Sequence, residues 1–246
     1  MHAVFLAAGT GTRLRPATDR VPKCMVPVAG RPMLTWALDA LHDAGIERAV
    51  IVVGYLADVI REEYGDQHKS VRVEYVENPD YATTNNLYTL YLAREHLRGD
   101  VLLLEADLVY DSGLIQALVD HPAANVAVVD RFTPALNGTC VVLSEDDSED
   151  IARFVLGKDQ GAGFDRGTAL KTVNLYKLAG TLLVDSYLPA VERWVATQRT
   201  DQYYEAVLAE LVNSGAASMS ALRTGSHRWY EIDTLEDLAL AEDLFR

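Results

Sequence analysis

The sequence has few cysteines and no long apolar run. Its two cysteines, Cys24 and Cys140, are too few for a disulfide framework and lack metal-ligand spacing. No apolar stretch approaches the ~20 residues needed to cross a bilayer, and the short apolar N-terminus lacks the basic region of a secretory signal. We therefore expect a cytoplasmic protein without a membrane partner.

Positive charge is also scarce. Lys and Arg number 22 against 36 Asp and Glu, which gives a formal net charge of −14 over 246 residues. Nucleic acid is not expected as a partner, because its phosphates would be repelled. A small anionic substrate stays possible, since it responds to the local field of its pocket. The 49% hydrophobic and 24% charged residues are typical of a folded globular chain and exclude disorder.

The apolar patterns predict alternating strands and helices. The predicted strands are 3–8, 49–53, 71–75, 101–104 and 126–129, followed in a more mixed second half by 140–143, 154–156, 172–176 and 218–222. The predicted helices are 33–44, 57–64, 86–97, 114–119, 181–197, 202–213 and 235–244, the last with Thr234 as its N-cap. This alternation predicts an α/β fold with a mostly parallel sheet flanked by helices. Because no linker or repeat interrupts it, we expect one domain over 1–246.

A glycine-rich loop, Gly9–Arg13, follows the first predicted strand. Glycines let backbone N–H groups approach phosphate oxygens closely. The loop lacks the Lys-Ser/Thr of a P-loop, and Leu14 stands where a dinucleotide-binding loop has its third glycine. Arg13, Arg15 and Lys23 add three cations, which suits a polyphosphate better than a nicotinamide dinucleotide. A plain surface loop with solvated basic residues is the alternative interpretation.

Two separate segments carry candidate metal ligands. Glu105 and Asp107 end an apolar strand and share a face, and Glu231 and Asp233 precede the last helix. Acidic residues near a polyphosphate call for a cation between them, and Mg²⁺ prefers oxygen ligands and bridges phosphates. We therefore predict that Asp107, Glu231 and Asp233 bind one Mg²⁺. The alternative is helix capping, for which Asp233 and Thr234 are both suited.

Polar residues elsewhere are candidates for reading the substrates. Asn85 and Asn86 begin a predicted helix, where their amides could contact a base or ribose or simply cap the helix. Lys171 and Asn174 could hold an anionic acceptor, although a strand with solvent-facing polar residues fits equally well. Arg131 is a weaker candidate for the same anionic group.

An amine on the acceptor would need different partners. Tyr204, Glu205 and Trp229 could surround such a group by cation–π and ionic contacts.

The motifs resemble a known superfamily. The segment 6–13 followed by Pro22-Lys23 resembles the opening motif of the nucleotidyltransferases that activate sugar phosphates and small alcohol phosphates. The segment 81–90 is similar to phosphocholine cytidylyltransferases, and 171–176 with 203–205 is similar to phosphonate cytidylyltransferases. The Gln-Gly-type base segment usual in sugar-nucleotide enzymes is not found, which lowers the sugar interpretation.

The resemblance implies a Rossmann-like nucleotidyltransferase fold and an activity. It implies an Mg²⁺-dependent enzyme that joins CMP from CTP to a small phosphonate or phosphate, of the 2-aminoethylphosphonate or hydroxyalkylphosphonate type, and releases pyrophosphate. Arg13 and Lys23 would then be the catalytic cations. The nucleotide-binding residues would be Ala7, Ala8, Gly9, Gly11, Thr12, Arg13, Asn85 and Asn86. The alternatives are a phosphocholine cytidylyltransferase, a sugar-1-phosphate nucleotidyltransferase and a non-enzymatic nucleotide sensor.

Overall fold

A computed structural model describes residues 1–133, 136–145, 149–161 and 163–246. Its strands are β1 (His2–Ala7), β2 (Pro27–Val28), β3 (Arg31–Pro32), β4 (Arg48–Val53), β5 (Gln67–His68), β6 (Val71–Glu77), β7 (Val101–Glu105), β8 (Leu108–Tyr110), β9 (Val126–Arg131), β10 (Cys140–Leu143), β11 (Ile151–Val155), β12 (Leu170–Leu178), β13 (Ser220–Arg223) and β14 (Trp229–Glu231). The helices are α1 (Met33–Asp43), α2 (Ala57–Tyr64), α3 (Asn86–Leu92), α4 (Ser112–Asp120), α5 (Gly180–Leu182), α6 (Leu188–Ala196), α7 (Glu205–Asn213) and α8 (Leu235–Phe245).

The main sheet has a parallel centre and a mixed second half. Its strands follow the order β11-β10-β12-β7-β1-β4-β6-β5, and β9 pairs with both β12 and β13. Strand β1 runs parallel to β4 and β7, whereas β12 runs antiparallel to β7. The predicted α/β class with a mixed C-terminal half is therefore confirmed.

Helices cover both faces of this sheet. Alternate residues of β1 point to opposite sides: Phe5 packs in the core that includes α1, α2 and α4, and Val4 packs in the core that includes α3, α6 and α7. Strands buried on both faces have no polar side, which explains their continuous apolar runs. Within the described part of the chain, no helix has the length and apolar character that a membrane crossing requires.

Two predicted helices begin or end differently from the sequence expectation. The helix predicted over 202–213 begins as α7 only at Glu205, because the preceding residues bind the start of α3: Leu87 N donates to Gln202 O and Tyr204 N donates to Asn86 Oδ1. The helix predicted over 86–97 ends as α3 at Leu92 and continues as a 3₁₀ turn over Arg94–His96. The predicted 181–197 helix contains a π-helical turn over 183–187.

A small second sheet fixes the relative position of the two acidic segments. Strand β14 pairs antiparallel with β8, with Glu231 opposite Leu108, and Ile232 N donates to Asp107 O at 3.0 Å. Helix α8 then begins with a capping box between Thr234 and Asp237, which confirms the predicted N-cap. Segments far apart in sequence are thus adjacent at the carboxyl end of β7.

Candidate active site

A cavity of about 830 Å³ opens at the carboxyl ends of β1 and β7. Carboxyl ends of parallel strands are where α/β sheets usually bind ligands. The cavity brings together fourteen of the residues that the sequence nominated: Ala7, Ala8, Gly9, Gly11, Thr12, Arg13, Lys23, Asn85, Asn86, Asp107, Lys171, Asn174, Glu231 and Asp233. The two predicted halves of the site, the cationic loop and the acidic segments, therefore face one shared space.

The glycine-rich loop has a conformation that requires glycine at one position. Gly11 has a φ of +60°, and a Cβ there would lie 3.0 Å from both Lys23 Cβ and Thr18 Cγ2. Thr18 Oγ1 also donates to Gly11 O at 2.8 Å. By contrast, a Cβ at Gly9 would meet nothing within 4 Å. The loop is thus held against Lys23 at Gly11 and is open at Gly9, where a ligand can approach the backbone.

Lys23 bridges two aspartates at the centre of the site. Its Nζ lies 2.6 Å from Asp107 Oδ2 and 2.6 Å from Asp233 Oδ1, and Arg13 lies 2.7 Å from the same Asp233 oxygen. Burial alone would lower the pKa of Lys23, but the charges of Asp107 and Asp233 outweigh it and raise that pKa. Burial would likewise raise the pKa of Asp233, but Lys23 and Arg13 outweigh it and lower that pKa. Lys23 and Asp233 are therefore both charged near neutral pH.

Three carboxylates beside Lys23 form a candidate cation site. Glu105, Asp107 and Glu231 each place an oxygen within 4.8 Å of the others. Asp107 Oδ1 is buried and has no hydrogen-bond partner among the described residues. Burial raises the pKa of Glu105 and of Glu231, and Asp107 raises both further. An orphaned oxygen among mutually repelling carboxylates fits a hard cation such as Mg²⁺.

This acidic cluster differs in one member from the predicted ligand set. Glu105 joins Asp107 and Glu231, while the Asp233 carboxylate is paired with Lys23 and Arg13. The sequence already placed Glu105 on the same face as Asp107, two residues away, but the predicted ligand set did not include it. Asn86 orients it, since Asn86 Nδ2 donates to Glu105 Oε1 at 3.2 Å.

The two asparagines shape the cavity wall through contacts within the protein. Asn85 Oδ1 accepts a hydrogen bond from Asn86 N at 2.8 Å, so the capping role left open by the sequence is the one observed. Asn85 Nδ2 donates to Asp201 O at 3.3 Å. Asn86 Oδ1 accepts from Tyr204 N at 2.9 Å. Both amides thus tie α3 to the segment that leads into α7.

Lys171 and Glu205 are two buried ionisable residues of the cavity lining. Lys171 is 1% exposed, donates to Thr172 O at 2.6 Å and lies 3.3 Å from Glu231 Oε2. Glu205 is 5% exposed. Burial raises the pKa of Glu205 to about 7, although Lys171 and a hydrogen bond with Thr139 act in the opposite direction. Glu205, which the sequence nominated only for an acceptor with an amine, is therefore a residue of the site.

The pKa of Glu205 predicts a pH-dependent stability. A carboxyl group whose pKa is raised on folding binds its proton more tightly in the folded state. It therefore destabilises the fold progressively as the pH rises from the unfolded value near ~4.3 to about 7. We expect Glu205→Gln to increase the free energy of unfolding at pH 8 by about 1 kcal/mol or more, with little change at pH 4. Urea unfolding at both pH values measures the difference in the free energy of unfolding. An equal change at both pH values would contradict a raised pKa at Glu205.

Three predicted acceptor residues lie outside the cavity, and their assignment is corrected. Tyr204 is fully buried, with its ring edge-on to that of Tyr176 at 5.9 Å. Trp229 is fixed by β14 and donates from Nε1 to Asp130 Oδ2 at 2.6 Å. Arg131 lines a separate surface depression of about 420 Å³. Side chains alternate along an extended segment, so neighbours of site residues can face the core instead.

The sequence did not nominate several other residues that line the cavity. They are Tyr81, Asn137, Gly138, Thr139, Lys158, Gln160, Arg166 and Tyr203. Most lie in irregular segments between strands, where neither apolar periodicity nor a motif marks them.

A known family model matches most of the chain. Residues 3–211 match the model of the MobA-like NTP transferase domain. The chain belongs to the MobA-like NTP transferase family. The predicted nucleotidyltransferase resemblance is thereby confirmed.

Relatives of the family include proteins named for cytidylyl transfer. A protein of Streptomyces rubellomurinus (strain ATCC 31215) named CMP-5'-(3-aminopropyl)phosphonate synthase is 36% identical over 245 residues, which is 100% of this chain and 39% of the relative. The choline-phosphate cytidylyltransferase of Streptococcus pneumoniae (strain ATCC BAA-255 / R6) is 41% identical over 106 residues, 42% of this chain and 43% of the relative. This MobA-like chain thus spans roughly two fifths of the curated relatives that it matches.

Solved structures of other proteins share the fold. The CTP:phosphocholine cytidylyltransferase from Streptococcus pneumoniae superposes with a TM-score of 0.78 at 21% identity, covering 100% of this chain and 99% of the other. The inositol-1-phosphate CTP transferase from T. maritima gives a TM-score of 0.74 at 22% identity, covering 98% and 93%. The expected nucleotidyltransferase fold of this chain is confirmed.

Proposed function

We propose that this chain transfers CMP from CTP to a small phosphonate or phosphate and releases pyrophosphate. The observation that carries the proposal is the shared cavity, in which Lys23 lies between Asp107 and Asp233 beside an open glycine-rich loop. That arrangement combines phosphate-binding cations with a carboxylate cluster suited to Mg²⁺. The match of this chain to 39% of a relative named CMP-5'-(3-aminopropyl)phosphonate synthase supports the choice of CMP and of a phosphonate.

The proposed reaction exchanges one P–O bond for another. An oxygen of the phosphonate attacks the α-phosphorus of CTP in line, and the bond from that phosphorus to the α–β bridging oxygen breaks. The electron pair of the broken bond leaves with pyrophosphate. The second pKa of a phosphate is on the order of 6, so the attacking oxygen has already lost its proton at neutral pH. No general base is needed for this step.

The chain's own residues then act by binding and by neutralising charge. The backbone of Gly9, Gly11 and Thr12 would hold the triphosphate. Lys23 and Arg13 would offset the negative charge that develops on the α-phosphoryl and leaving oxygens. Both cations contact Asp233 at the cavity lining. Lys171 would hold the anionic group of the acceptor.

The carboxylates would hold the metal ion. Asp107 and Glu231 belong both to the predicted ligand set and to the observed acidic cluster, with Glu105 and Asp233 as further candidates. When bound, Mg²⁺ would supply positive charge that offsets the repulsion of the anionic substrates.

A pyrophosphate-release screen tests the proposed function. CTP, UTP, ATP and GTP are each combined with alkyl phosphonates, phosphocholine and sugar 1-phosphates, with and without Mg²⁺. We expect Mg²⁺-dependent release with CTP and a phosphonate. Preference for phosphocholine or a sugar phosphate would refute the phosphonate assignment. Nucleotide binding without release from any pair would favour a sensor instead.

A further inference from the structure

One wall of the cavity, away from the glycine-rich loop, gathers residues that the proposed reaction does not yet use. Gln160 Nε2 donates to Gly138 O at 2.7 Å. The next residue, Thr139, makes the hydrogen bond with Glu205. A Cβ at Gly138 would lie 3.5 Å from Lys171 Nζ. Gln160, Glu205 and Lys171 therefore converge on the two-residue segment Gly138-Thr139, and all three line the cavity.

One buried acceptor of this wall has no donor within the described part of the chain. Gln160 Oε1 is buried without a partner among the described residues, because the amide nitrogen of Gln160 makes the contacts with the chain. Glu205 itself is a buried carboxyl. Buried acceptors without donors are costly, so a ligand that brings N–H groups would be favoured here.

The charges on this wall also favour a ligand that brings N–H groups. Lys171 is the one lysine or arginine below 9% exposure among the described residues, and it is already shared with Glu231. A carboxylate at Glu205 therefore lacks a full counter-charge within the chain. A cationic group on the ligand would supply it.

We propose that the acceptor is an ω-aminoalkyl phosphonate, whose primary ammonium is bound by Glu205 and Gln160 Oε1 while its phosphonate is bound by Lys171. The inference rests on the proposed function and adds a specificity-determining residue, Glu205. An acid and a base on one wall match the two charged ends of such a zwitterion. A hydroxyalkyl acceptor would leave the Glu205 charge uncompensated.

The lining also disfavours a quaternary ammonium. Choline-like groups have no N–H donor and bind best over aromatic faces. Tyr81 and Tyr203 are the aromatic residues among the described lining, and neither belongs to the segment formed by Gly138, Thr139 and Gln160. A primary ammonium instead offers three donors to the Glu205 carboxylate and Gln160 Oε1.

The test compares three phosphonates that differ at one end. They are 3-aminopropylphosphonate, its N-trimethyl derivative and butylphosphonate, in which a methyl group replaces the ammonium. For the unmodified chain we expect kcat/KM to be about 100-fold higher with the primary amine than with butylphosphonate, mostly through KM. Glu205→Gln should reduce that ratio to less than about 10, with the larger loss on the primary amine. Gln160→Met, which removes Oε1, should reduce the ratio in the same direction.

A matched control lies on the same helix. Glu210 is on α7, and its carboxylate accepts a hydrogen bond from Trp194 Nε1 at 2.9 Å, away from the cavity lining. Glu210→Gln should therefore keep the full preference for the amine. Equal loss on all three substrates in Glu205→Gln would show a structural role and overturn the inference.

Other outcomes separate the inference from the proposed function. If the unmodified chain uses butylphosphonate or the trimethyl derivative as well as the primary amine, the inference is wrong although phosphonate transfer stands. If no phosphonate is used and phosphocholine or a sugar phosphate is, the proposed acceptor class fails and the inference fails with it.

Discussion

Replacing Asp107 with asparagine is expected to lower kcat for pyrophosphate release by about 100- to 1,000-fold. Asp107 contacts Lys23 through Oδ2, and its Oδ1 is buried beside Glu105 and Glu231 without a partner among the described residues. An amide has nearly the same size but carries no negative charge and provides one oxygen instead of two. The variant should therefore lose activity because the charge of the site changes, whereas the shape of the site stays nearly the same.

The fold should tolerate this change. The backbone bond from Ile232 N to Asp107 O, which joins β14 to the end of β7, does not involve the side chain. Activity is measured over a range of Mg²⁺ concentrations, with unfolding followed in parallel. Asp120→Asn, at the exposed end of α4, is the control and should leave kcat unchanged. Turnover of Asp107→Asn within tenfold of the unmodified chain would remove Asp107 from the proposed metal ligands.

Replacing Lys23 with methionine is expected to lower kcat by about 100-fold and to make stability depend on divalent cations. The Lys23 ammonium lies 2.6 Å from both Asp107 and Asp233. Without it, two partly buried carboxylates lose their shared counter-charge and repel each other. Mg²⁺ should then raise the melting temperature of the variant more than that of the unmodified chain.

The pH range in which the Lys23 bridge stabilises the fold follows from the shifted pKa values of Lys23 and Asp233. The raised pKa of Lys23 stabilises the fold below the unfolded lysine value near ~10.4. The lowered pKa of Asp233 stabilises the fold above the unfolded aspartate value near ~3.9. Both contributions are present at pH 7, where melting is measured with and without Mg²⁺.

Arg15→Met is the matched control for Lys23→Met. Arg15 belongs to the same loop segment, but it pairs with Asp19 and is absent from the described cavity lining. It should keep both turnover and stability. If Lys23→Met melts no differently with Mg²⁺ than the unmodified chain does, the bridging role assigned to Lys23 is wrong.

The parts of this protein that could be predicted from sequence are those whose cause is local. Continuous apolar runs identify β1, β4 and β7, because strands covered on both faces contain no polar positions. The loop over Gly9–Arg13 is recognisable from the sequence because the glycines that allow a close approach to the backbone lie near one another in the chain. Gln160 and Thr139 were missed for the opposite reason: they come from irregular segments that no periodicity marks.

Pairings between distant segments could not be predicted in detail. The start of α7 was misplaced because Gln202 and Tyr204 hydrogen-bond to the start of α3 instead of continuing a helix. Tyr204 points into the core, and Glu205, its neighbour, lines the cavity. The side chains of neighbouring residues in such a segment point in opposite directions, and only packing decides which of the two faces the cavity.

The sequence by itself determined the kinds of group that this protein brings to its cavity: a glycine loop, loop cations and acids on two separate segments. Each of these is a property of short stretches, with residue types and spacings that are visible without a fold. Only the tertiary structure decided which of them meet. The pairing of β14 with β8 places Glu231 beside Glu105 and Asp107, whereas Asp233 contacts Lys23 and Arg13. Electrostatic partners are chosen by distances of a few ångströms, and those distances are set by strand register and packing.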